Sequence, residues 1–582
     1  MFALSRRWTR QLSYLGLLIF LIGLLVTVVD LLYKNILPDK LHISISSYSQ
    51  PDQIITGVEF QDCSIFNSDC QLKKSGNWVK NLVDLKLSQS WTSKTFIYSN
   101  VIKLEDVNPD QKKVIMDFAV SNPMNDSLIN GNEKLLIPSY VITDYRADMP
   151  SKTDEIPTRE ILKSKYGWQE EQYGLWVKYG DYNQMKAVSE IDVLFGADCV
   201  DPRPNWKLLS NPLLIGDTIN NDITQVHLTF RRGRARPIKK PDLKITKEYK
   251  FKILQVADLH FSTGYGECRD PYPIESANNC KADPRTLKFI NHVLDIEKPD
   301  MVVLTGDQIF GETSLDSKSS LFKALNPFIK RNIPYAITLG NHDDEGSIKS
   351  RKEIMMLASS LPYSLSELGP ETVDGFGNYA LSLQGYNSAN SAATLWFLDS
   401  HKYSPSPKTN PGYDWIKESQ LNFIESKYQE LEPLRKHYTH IHLSMAFFHI
   451  PLPEYRNVKN QILIGELKEA VTAPNYNTGA RDILHKLGVS VVSVGHDHCN
   501  DYCLMDTNKD YEADKMWLCY GGAAGEGGYS GYGGTPRRVR VFEIDTQRND
   551  IRSWKRVETD VQKLDDSQVL VSGGSVTAGQ MK

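Results

Sequence analysis

The carboxyl-terminal half of this 582-residue chain alternates short apolar runs with helical segments, and this alternation limits the possible folds more than any other feature. The strand candidates are 251–257, 301–305, 335–339, 394–398, 441–448 and 490–494, followed by 538–544 and 551–557. The helix candidates are 284–297, 320–331, 413–431 and 480–487. Such alternation is typical of layered α/β proteins. We therefore predict an α/β fold for residues 249–560.

Five polar segments each follow a strand candidate directly. They are Asp258-Leu259-His260, Gly306-Asp307, Gly340-Asn341-His342-Asp343, Phe448-His449 and Gly495-His496-Asp497-His498. Loops from successive strands converge at the carboxyl ends of an open α/β sheet. One Asp-x-His alone is more often a hydrogen-bonding pair than a ligand set. Five such segments in this order supply the nitrogen and oxygen donors of a metal site.

The ligand types favour two divalent ions. Two such ions, about 3.5–4 Å apart, repel each other, so a carboxylate has to bridge them. Asp307 is the predicted bridge, because it follows the central strand and Gly306 permits a tight turn. The remaining predicted ligands fall into two sets, which are Asp258, His260 and His498 for one ion and Asn341, His449 and His496 for the other. His496 and His498 are two residues apart, so an extended backbone points both the same way.

Other residues in these segments are candidates for proton transfer and substrate contact. His342 is the predicted catalytic acid, with Asp343 or another carboxylate to orient its ring. The alternative is that His342 only holds a ligand in place by hydrogen bonding. His401 and Asp399 are candidates for contacting substrate or for supporting the ligands, and a purely structural role stays open.

These segments match, in order, the motif set of calcineurin-like metallophosphoesterases over about 300 residues, from Phe251 to Val557. Further stretches resemble a fungal branch of phosphatases in this family. They are 306–310, 340–346, 397–401, 446–453 and the glycine-rich 520–534. The resemblance implies a four-layer α/β/β/α sandwich, the two-metal ligand set above and a role in the cell cycle.

The resemblance also implies the reaction. It favours a phosphatase that hydrolyses phosphomonoesters, phosphoproteins among them, with a metal-bridging hydroxide. A phosphodiesterase with the same ligands and a non-catalytic membrane scaffold are the alternatives. The formal charge of −4 argues against nucleic acid as a partner, since such binders need a basic excess.

Two positions depart from the pattern of the related purple acid phosphatases. Those enzymes carry a ferric-binding Tyr three residues after the bridging Asp and lack the second histidine of the first motif. Here Phe310 and His260 stand at the two positions. The resemblance therefore implies a pair of Mn, Fe(II) or Zn ions, and affinity order alone does not choose among them.

The amino end has a different composition. Nineteen residues without formal charge separate Arg10 from Asp30, so we predict a retained membrane anchor at 13–33 after a tail at 1–12. A cleaved signal peptide is the alternative, although its apolar region is typically shorter. Three arginines before the span against Lys34 and Lys40 after it favour a lumenal carboxyl-terminal domain in the endoplasmic reticulum or vacuole. The close pairs Cys63/Cys70 and Cys268/Cys280 would suit that oxidising side as disulfides, and the alternative is that they are reduced, small apolar side chains.

The remaining segments complete the domain plan. Residues 41–230 are rich in β-branched and aromatic residues and predict a mostly β domain, with strands at 91–104, 135–145, 175–179 and 191–195. Residues 231–248 predict an exposed basic linker, and 561–582 a flexible tail. The glycine-rich loop at 521–534 predicts a flexible cover over the metal site. Cys499 and Cys503 predict packing or a disulfide, since the ligand set is not that of a zinc finger.

Overall fold

The computed structural model describes Leu21 and residues 52–64, 70, 72, 74–87, 93–108, 113–120, 162–163, 165–216, 221–459, 461–507, 514–531 and 534–580. The predicted anchor at 13–33, apart from Leu21, and the strand candidate at 135–145 lie outside these residues. Among the residues that are described, no helix combines the length and the hydropathy needed to cross a bilayer.

Residues 53–232 form three small antiparallel sheets. Their strands are β1 (Gln53–Ser64), β2 (Trp78–Lys80), β3 (Ser93–Lys103), β4 (Val114–Val120), β5 (Trp168–Glu170), β6 (Leu175–Gly180), β7 (Val188–Phe195), β8 (Trp206–Leu208) and β9 (Val226–Arg232). The strand orders are β1-β3-β2, β4-β6-β5 and β7-β9-β8. One apolar cluster joins all three sheets, with Phe60, Phe118 and Phe230 among its members. The predicted β-rich character of this region is therefore confirmed for the residues described.

The described residues of the carboxyl-terminal region form fourteen further strands and six α-helices. The strands are β10 (Lys250–Val256), β11 (Met301–Thr305), β12 (Tyr335–Thr338), β13 (Tyr379–Gln384), β14 (Ser391–Phe397), β15 (Leu443–Phe447), β16 (Ile462–Ile464), β17 (Val491–Val494), β18 (Cys503–Thr507), β19 (Lys515–Tyr520), β20 (Arg538–Asp545), β21 (Asp550–Val557), β22 (Asp560–Ser572) and β23 (Ser575–Gln580). The helices are α1 (Ala282–Glu297), α2 (Ser317–Lys330), α3 (Arg351–Ser359), α4 (Glu418–Glu430), α5 (Glu432–Lys436) and α6 (Ala480–Lys486).

These strands build two seven-stranded mixed sheets. The first has the order β12-β11-β10-β20-β21-β22-β23, and the second β13-β14-β15-β17-β19-β18-β16. Strands β10, β11 and β12 are parallel, and so are β14, β15, β17 and β19. Parallel neighbours end at the same edge of a sheet, which brings their carboxyl-terminal loops together.

Side-chain alternation along the strands separates the two apolar cores. Ile253 and Val303 of the first sheet pack against Phe397 and Phe447 of the second, so the sheets face each other. The next residues along β10 and β11 point the opposite way and pack on helices α1, α2 and α3. The outer face of the second sheet packs in the same way on α4 and α6. The layers are therefore α/β/β/α, as the family resemblance implied.

The predicted flexible tail at 561–582 is wrong for residues 561–580. Strands β22 and β23 extend the first sheet, and Leu570 and Val571 are buried in the core between the sheets. Gly573 and Gly574 both adopt positive φ angles in the turn between paired Ser572 and Ser575. A Gly-Gly pair between β-branched runs is a hairpin signal, and the polar composition around it concealed that signal.

The predicted basic linker at 231–248 is only partly exposed. Arg231 and Arg232 end strand β9, while Leu243 and Ile245 are buried in the core between the sheets. The β-rich sheets also pack directly on α2, where the Phe195 amide donates to Ser319 Oγ at 2.7 Å. The described residues from 52 to 580 therefore belong to one compact unit.

Candidate metal centre

All seven predicted metal ligands lie at one edge of the two sheets. Each follows the strand after which it was predicted: Asp258 and His260 follow β10, Asp307 follows β11, Asn341 follows β12, His449 follows β15, and His496 and His498 follow β17. All seven side chains are buried. The tertiary structure thus brings together donors that are up to 240 residues apart in the sequence, from Asp258 to His498.

Asp307 lies between two histidines from the two sheets. Its Oδ2 is 3.6 Å from His260 Nε2 and 3.2 Å from His449 Nε2. One carboxylate oxygen that faces both imidazoles has the placement that a bridging ligand requires.

The other ligands complete two neighbouring groups. On one side, His498 Nε2 is 3.0 Å from His260 Nε2 and 3.5 Å from Asp258 Oδ1. On the other, His449 Nε2 is 3.1 Å from Asn341 Oδ1 and 3.3 Å from His496 Nδ1. These are the two predicted sets, although the donor atoms of Asp258 also lie within 4.8 Å of Asp307 and His449.

Backbone carbonyls orient two of the imidazole rings. His449 Nδ1 lies 2.8 Å from the carbonyl of Thr305, and His498 Nδ1 lies 2.7 Å from that of Tyr529. A carbonyl can only accept, so each Nδ1 carries the proton and each Nε2 lone pair faces the centre in the neutral ring.

The electrostatics of the centre suit a cation. Burial raises the pKa of Asp307, but the imidazoles of His449 and His260 outweigh it and hold the pKa well below its usual value. Burial lowers the pKa of His260 and of His496 well below the usual value, which keeps their lone pairs free. Burial also lowers the pKa of His449, yet Asp307 dominates and raises it to about 9, so a metal ion has to displace that proton.

The donor set fits divalent metal ions. Carboxylate, amide and imidazole donors converge in a buried space, and facing nitrogens of His260 and His498 are only 3.0 Å apart. His496 Nε2 is buried without a hydrogen-bond partner. Mixed nitrogen and oxygen ligands of this kind suit Mn, Fe and Zn.

Backbone strain and close packing hold the ligands in place. Asp258, His260, Asp307 and His496 all have positive φ angles, between 51° and 78°. Such conformations are unfavourable for these residue types and persist only where the surrounding structure imposes them. A Cβ atom at Gly340 would lie 2.0 Å from Asp307 Oδ1, so this glycine is required for the close approach.

The His342 ring lies beside the centre, and of the carboxylates that the sequence left open as its partner it is Glu345, not Asp343, that contacts it. Its Nδ1 pairs with Glu345, while the Asp343 carboxylate is fully buried and accepts from the amides of Gly340 at 2.7 Å and of Asp307 at 3.1 Å. Burial, with the nearby charge of Asp307, raises the pKa of Asp343 to about 7. Asp343 therefore joins the loops after β11 and β12, because its side chain points beneath them and away from the His342 ring.

Asp399 and His401 support the centre from behind. Asp399 forms a two-bonded ion pair with Arg351, with Nε to Oδ2 at 2.9 Å and Nη2 to Oδ1 at 2.6 Å. Arg351 also donates to the carbonyl of Gly340, the residue before Asn341, at 2.5 Å. His401 Nε2 lies 2.8 Å from Gln420 Oε1. Both residues thus make structural contacts, and Arg351 was missed because its position on a helix gives no motif.

Two tyrosines that the sequence analysis missed border the histidines. Tyr529 stacks on His498 with ring centroids 4.0 Å apart, and Tyr413 meets His496 edge-on at 4.4 Å. Tyr529 belongs to the glycine-rich loop, which is not a loose cover in its described part. That loop is largely buried, and the Gly525 amide donates to the carbonyl of Asp258 at 3.0 Å.

Six cysteines form disulfides, and these include both pairs that are close in sequence. The bonds join Cys63 to Cys70, Cys268 to Cys280 and Cys503 to Cys519. Cys499 is free and buried, so among the described residues Cys499 and Cys503 do not form a zinc motif.

Comparison with known proteins identifies the family by a family model and by relatives of similar sequence. Residues 251–500 match the family model described as calcineurin-like phosphoesterase. Phosphatase DCR2 of Saccharomyces cerevisiae is 48% identical over 67% of this chain and 67% of its own length. Probable inactive purple acid phosphatase 28 of Arabidopsis thaliana is 33% identical over 60% of this chain and 90% of its own length. A dimetal phosphatase structure from Danio rerio is 13% identical, covers 53% of this chain and 97% of that chain, and has a TM-score of 0.37.

Proposed function

Because this chain belongs to the calcineurin-like phosphoesterase family and is a metal-dependent phosphatase, we propose that it hydrolyses phosphomonoesters at a centre of two divalent ions. The observation that carries the proposal is the position of Asp307 Oδ2 between His260 and His449, at 3.6 Å and 3.2 Å. When bound, two divalent ions supply a hydroxide nucleophile at neutral pH and neutralise charge on the phosphoryl oxygens.

The chain's own residues set the geometry of this reaction. Asp258, His260 and His498 would hold one ion, Asn341, His449 and His496 would hold the other, and Asp307 would be the ligand that both share. The buried walls exclude bulk water, which strengthens each electrostatic interaction at the centre. The strained backbone at Asp307 and His260 fixes the donors before substrate arrives.

His342 is placed to act on the leaving group. Its side chain is 26% exposed, whereas the predicted metal ligands beside it are almost fully buried. Glu345 binds Nδ1, which leaves Nε2 as the ring nitrogen available to substrate. A protonated imidazole held this way can donate a proton to the leaving oxygen or stabilise phosphoryl charge.

Aryl-phosphate hydrolysis by the purified full chain, with Mn²⁺ or Zn²⁺ supplied, tests the proposal. We expect Asp307→Asn and His449→Ala to lower kcat by at least about 100-fold, in line with losing an electrostatic group at a reaction centre. Both variants should also bind less metal by calorimetry. The exposed residues Asp374 and His440 give matched controls, D374N and H440A, that should retain activity.

Two results would contradict the proposal. One is parent-level activity in both centre variants, and the other is a parent chain that binds metal but hydrolyses no ester. The second result would support the non-catalytic scaffold, in keeping with the word "inactive" in the name of the Arabidopsis relative. Faster hydrolysis of bis-aryl phosphate than of aryl phosphate would support the phosphodiesterase alternative.

We propose further that residues 13–33 anchor the chain in an endomembrane, with the metal centre on the lumenal side. The uncharged run between Arg10 and Asp30 and the three disulfides support this location. Protease treatment of intact microsomes should leave the carboxyl-terminal region uncut until detergent is added. Cleavage without detergent would place that region on the cytosolic side.

A further inference from the structure

We propose that Arg269 binds a second anionic group, a carboxylate or a phosphate, on the leaving-group side of the substrate. This inference rests on the proposed phosphomonoesterase function and restricts its substrates to esters whose leaving group carries a second anion. It assigns a specificity-determining residue from a segment that none of the five ligand motifs contains.

Two successive ring contacts link Arg269 through Phe310 to the proposed acid, His342. Arg269 Cζ lies 4.5 Å from the centroid of the Phe310 ring, and that centroid lies 5.2 Å from the His342 ring. Phe310 also meets His260 edge-on at 5.4 Å. The guanidinium is therefore separated by one aromatic ring from His342, the residue proposed to act on the leaving oxygen.

The backbone around Arg269 is fixed relative to the metal ligands. Its amide donates to the carbonyl of Glu526 at 2.8 Å, and its carbonyl accepts from Arg537 Nη2 at 2.7 Å. The buried Arg537 also donates to the carbonyl of Gly528 at 2.9 Å. A Cβ atom at Gly528 would lie 2.4 Å from His498 Cε1, so this glycine is in close contact with the centre.

A disulfide adds a second restraint on the same segment. Cys268 precedes Arg269 and is bonded to Cys280, and the Cys268 amide donates to the Cys280 carbonyl at 3.2 Å. A cation that is held in position before binding loses less entropy when it meets its anion.

Neighbouring acids are already occupied by other groups. Glu267 pairs with Lys281 at 2.5 Å, Glu345 pairs with His342, and Asp270 accepts from the Ser530 amide at 3.1 Å. Among the described residues, Arg269 takes part in no ion pair, and its side chain is exposed. The guanidinium thus has its donors available for a ligand.

The contact with Phe310 selects the chemistry of that ligand. An aromatic face holds the flat guanidinium by a cation–π interaction and leaves the N–H groups at its edge. Those edges match the two oxygens of a carboxylate or phosphate. A substrate whose leaving group carries such an anion would contact His342 and Arg269 together.

Three kinds of aryl phosphate with a common ring test the inference on the full chain with Mn²⁺ supplied, and those with a second anionic group are called the charged esters. They are phenyl phosphate, the set of carboxyphenyl phosphates and the set of phenylene bisphosphates, with the second group at each ring position. We expect R269A to lower kcat/KM on at least one charged ester by about 10- to 100-fold, mainly through KM, the usual size of a charge-assisted contact. Hydrolysis of phenyl phosphate should change less than about twofold. If R269A loses kcat/KM on the carboxyphenyl phosphates, the bound anion is a carboxylate; if it loses kcat/KM on the phenylene bisphosphates, the bound anion is a phosphate.

Two further variants separate binding from folding. R269K keeps the positive charge and should recover part of the loss on the charged ester, since it lacks the planar fork. The exposed Arg236 supplies a matched control, R236A, which should behave as the parent on all esters. Melting temperatures of the four proteins should agree within a few degrees.

Several outcomes would overturn the inference. It fails if R269A loses equal activity on phenyl phosphate and on the esters with a second anionic group, if it loses none, or if the parent hydrolyses phenyl phosphate but no ester with a second anionic group. A parent that is inert on every ester overturns the proposed function itself, and the inference with it.

Discussion

The two regions of this molecule use β-structure in opposite ways. Residues 53–232 form three-stranded antiparallel sheets, whereas residues 250–580 form two seven-stranded sheets with parallel centres. Antiparallel strands end alternately at both edges of a sheet, but parallel strands end at one edge. Among the described residues before 250, no three metal-binding side chains converge, while seven do so in the second region. Parallel strand order, and not β-content, is what assembled the centre.

A buried lysine joins the two regions. At the junction, Lys323 of α2 contacts Asp198 of the β-rich region at 2.8 Å and Asp283 of α1 at 2.6 Å. Lys323 Nζ also donates to the carbonyls of Ser262 and Gly264, in the loop that follows ligand His260. The β-rich region therefore supports the centre through the fold, whereas the second region supplies its chemistry.

The largest expected effect is on the free energy of unfolding, when the buried lysine at this junction is replaced. Lys323→Met removes a cation that is 1% exposed and leaves two buried carboxylates without it, so we expect the free energy of unfolding to fall by about 3–5 kcal/mol. Denaturant titration at pH 7.5 measures the loss. The same change at exposed Lys288 on α1, K288M, should alter the free energy by less than about 0.5 kcal/mol. Similar values for the two variants would show that the junction charges contribute little.

The next effect concerns His442 in the second region, which makes the free energy of unfolding depend on pH. Burial lowers the pKa of His442 to about 4, against an ordinary value of 6.5. The unfolded chain therefore binds a proton at His442 more readily than the folded chain does. The contribution of neutral His442 to the free energy of unfolding is full above pH 6.5 and is lost as the pH falls toward 4. His442→Gln should reduce the difference in unfolding free energy between pH 7.5 and pH 4.5 by about 2–3 kcal/mol. Parallel curves for parent and variant would show that His442 is not responsible.

The smallest effect concerns support of a ligand loop within the second region. Asp399→Asn weakens the pairing with Arg351 that fixes the carbonyl of Gly340, beside ligand Asn341. We expect kcat on an aryl phosphate to fall about tenfold, a typical result of losing a group that orients a metal ligand. The surface variant D374N should retain the parent kcat. A metal titration of both variants shows whether any loss follows weaker metal binding, and unchanged kcat in D399N would limit Asp399 to a role in stability.

The predictable part of the fold came from local periodicity. The strand candidate at 301–305 matches β11 at both ends, and the helix candidate at 480–487 matches α6 to within one residue. Buried parallel strands have uniformly apolar sequences, and this pattern is visible in the chain itself. The hairpin of β22 and β23 escaped prediction because charged and polar residues at 562–568 mask its few buried apolar positions.

The predictable part of the site came from its position at strand ends. Asp258, Asp307 and His449 are recognisable because a ligand after a parallel strand is placed by the strand and needs no other information. The partner of His342 was not recognisable in this way. Asp343 and Glu345 are both close in sequence, and only the path of the loop decides which carboxylate reaches the ring.

The sequence by itself therefore determined the α/β class, the strand ends and which seven polar residues follow those ends as predicted ligands, since alternation and strand-end polarity are local properties. The tertiary structure decided which of these side chains face each other, that Glu345 contacts His342, that Arg351 joins Asp399 to the Gly340 carbonyl and that Phe310 lies between Arg269 and His342. Each of these contacts joins side chains through folded loops, and their geometry depends on packing across both sheets and not on spacing along the chain.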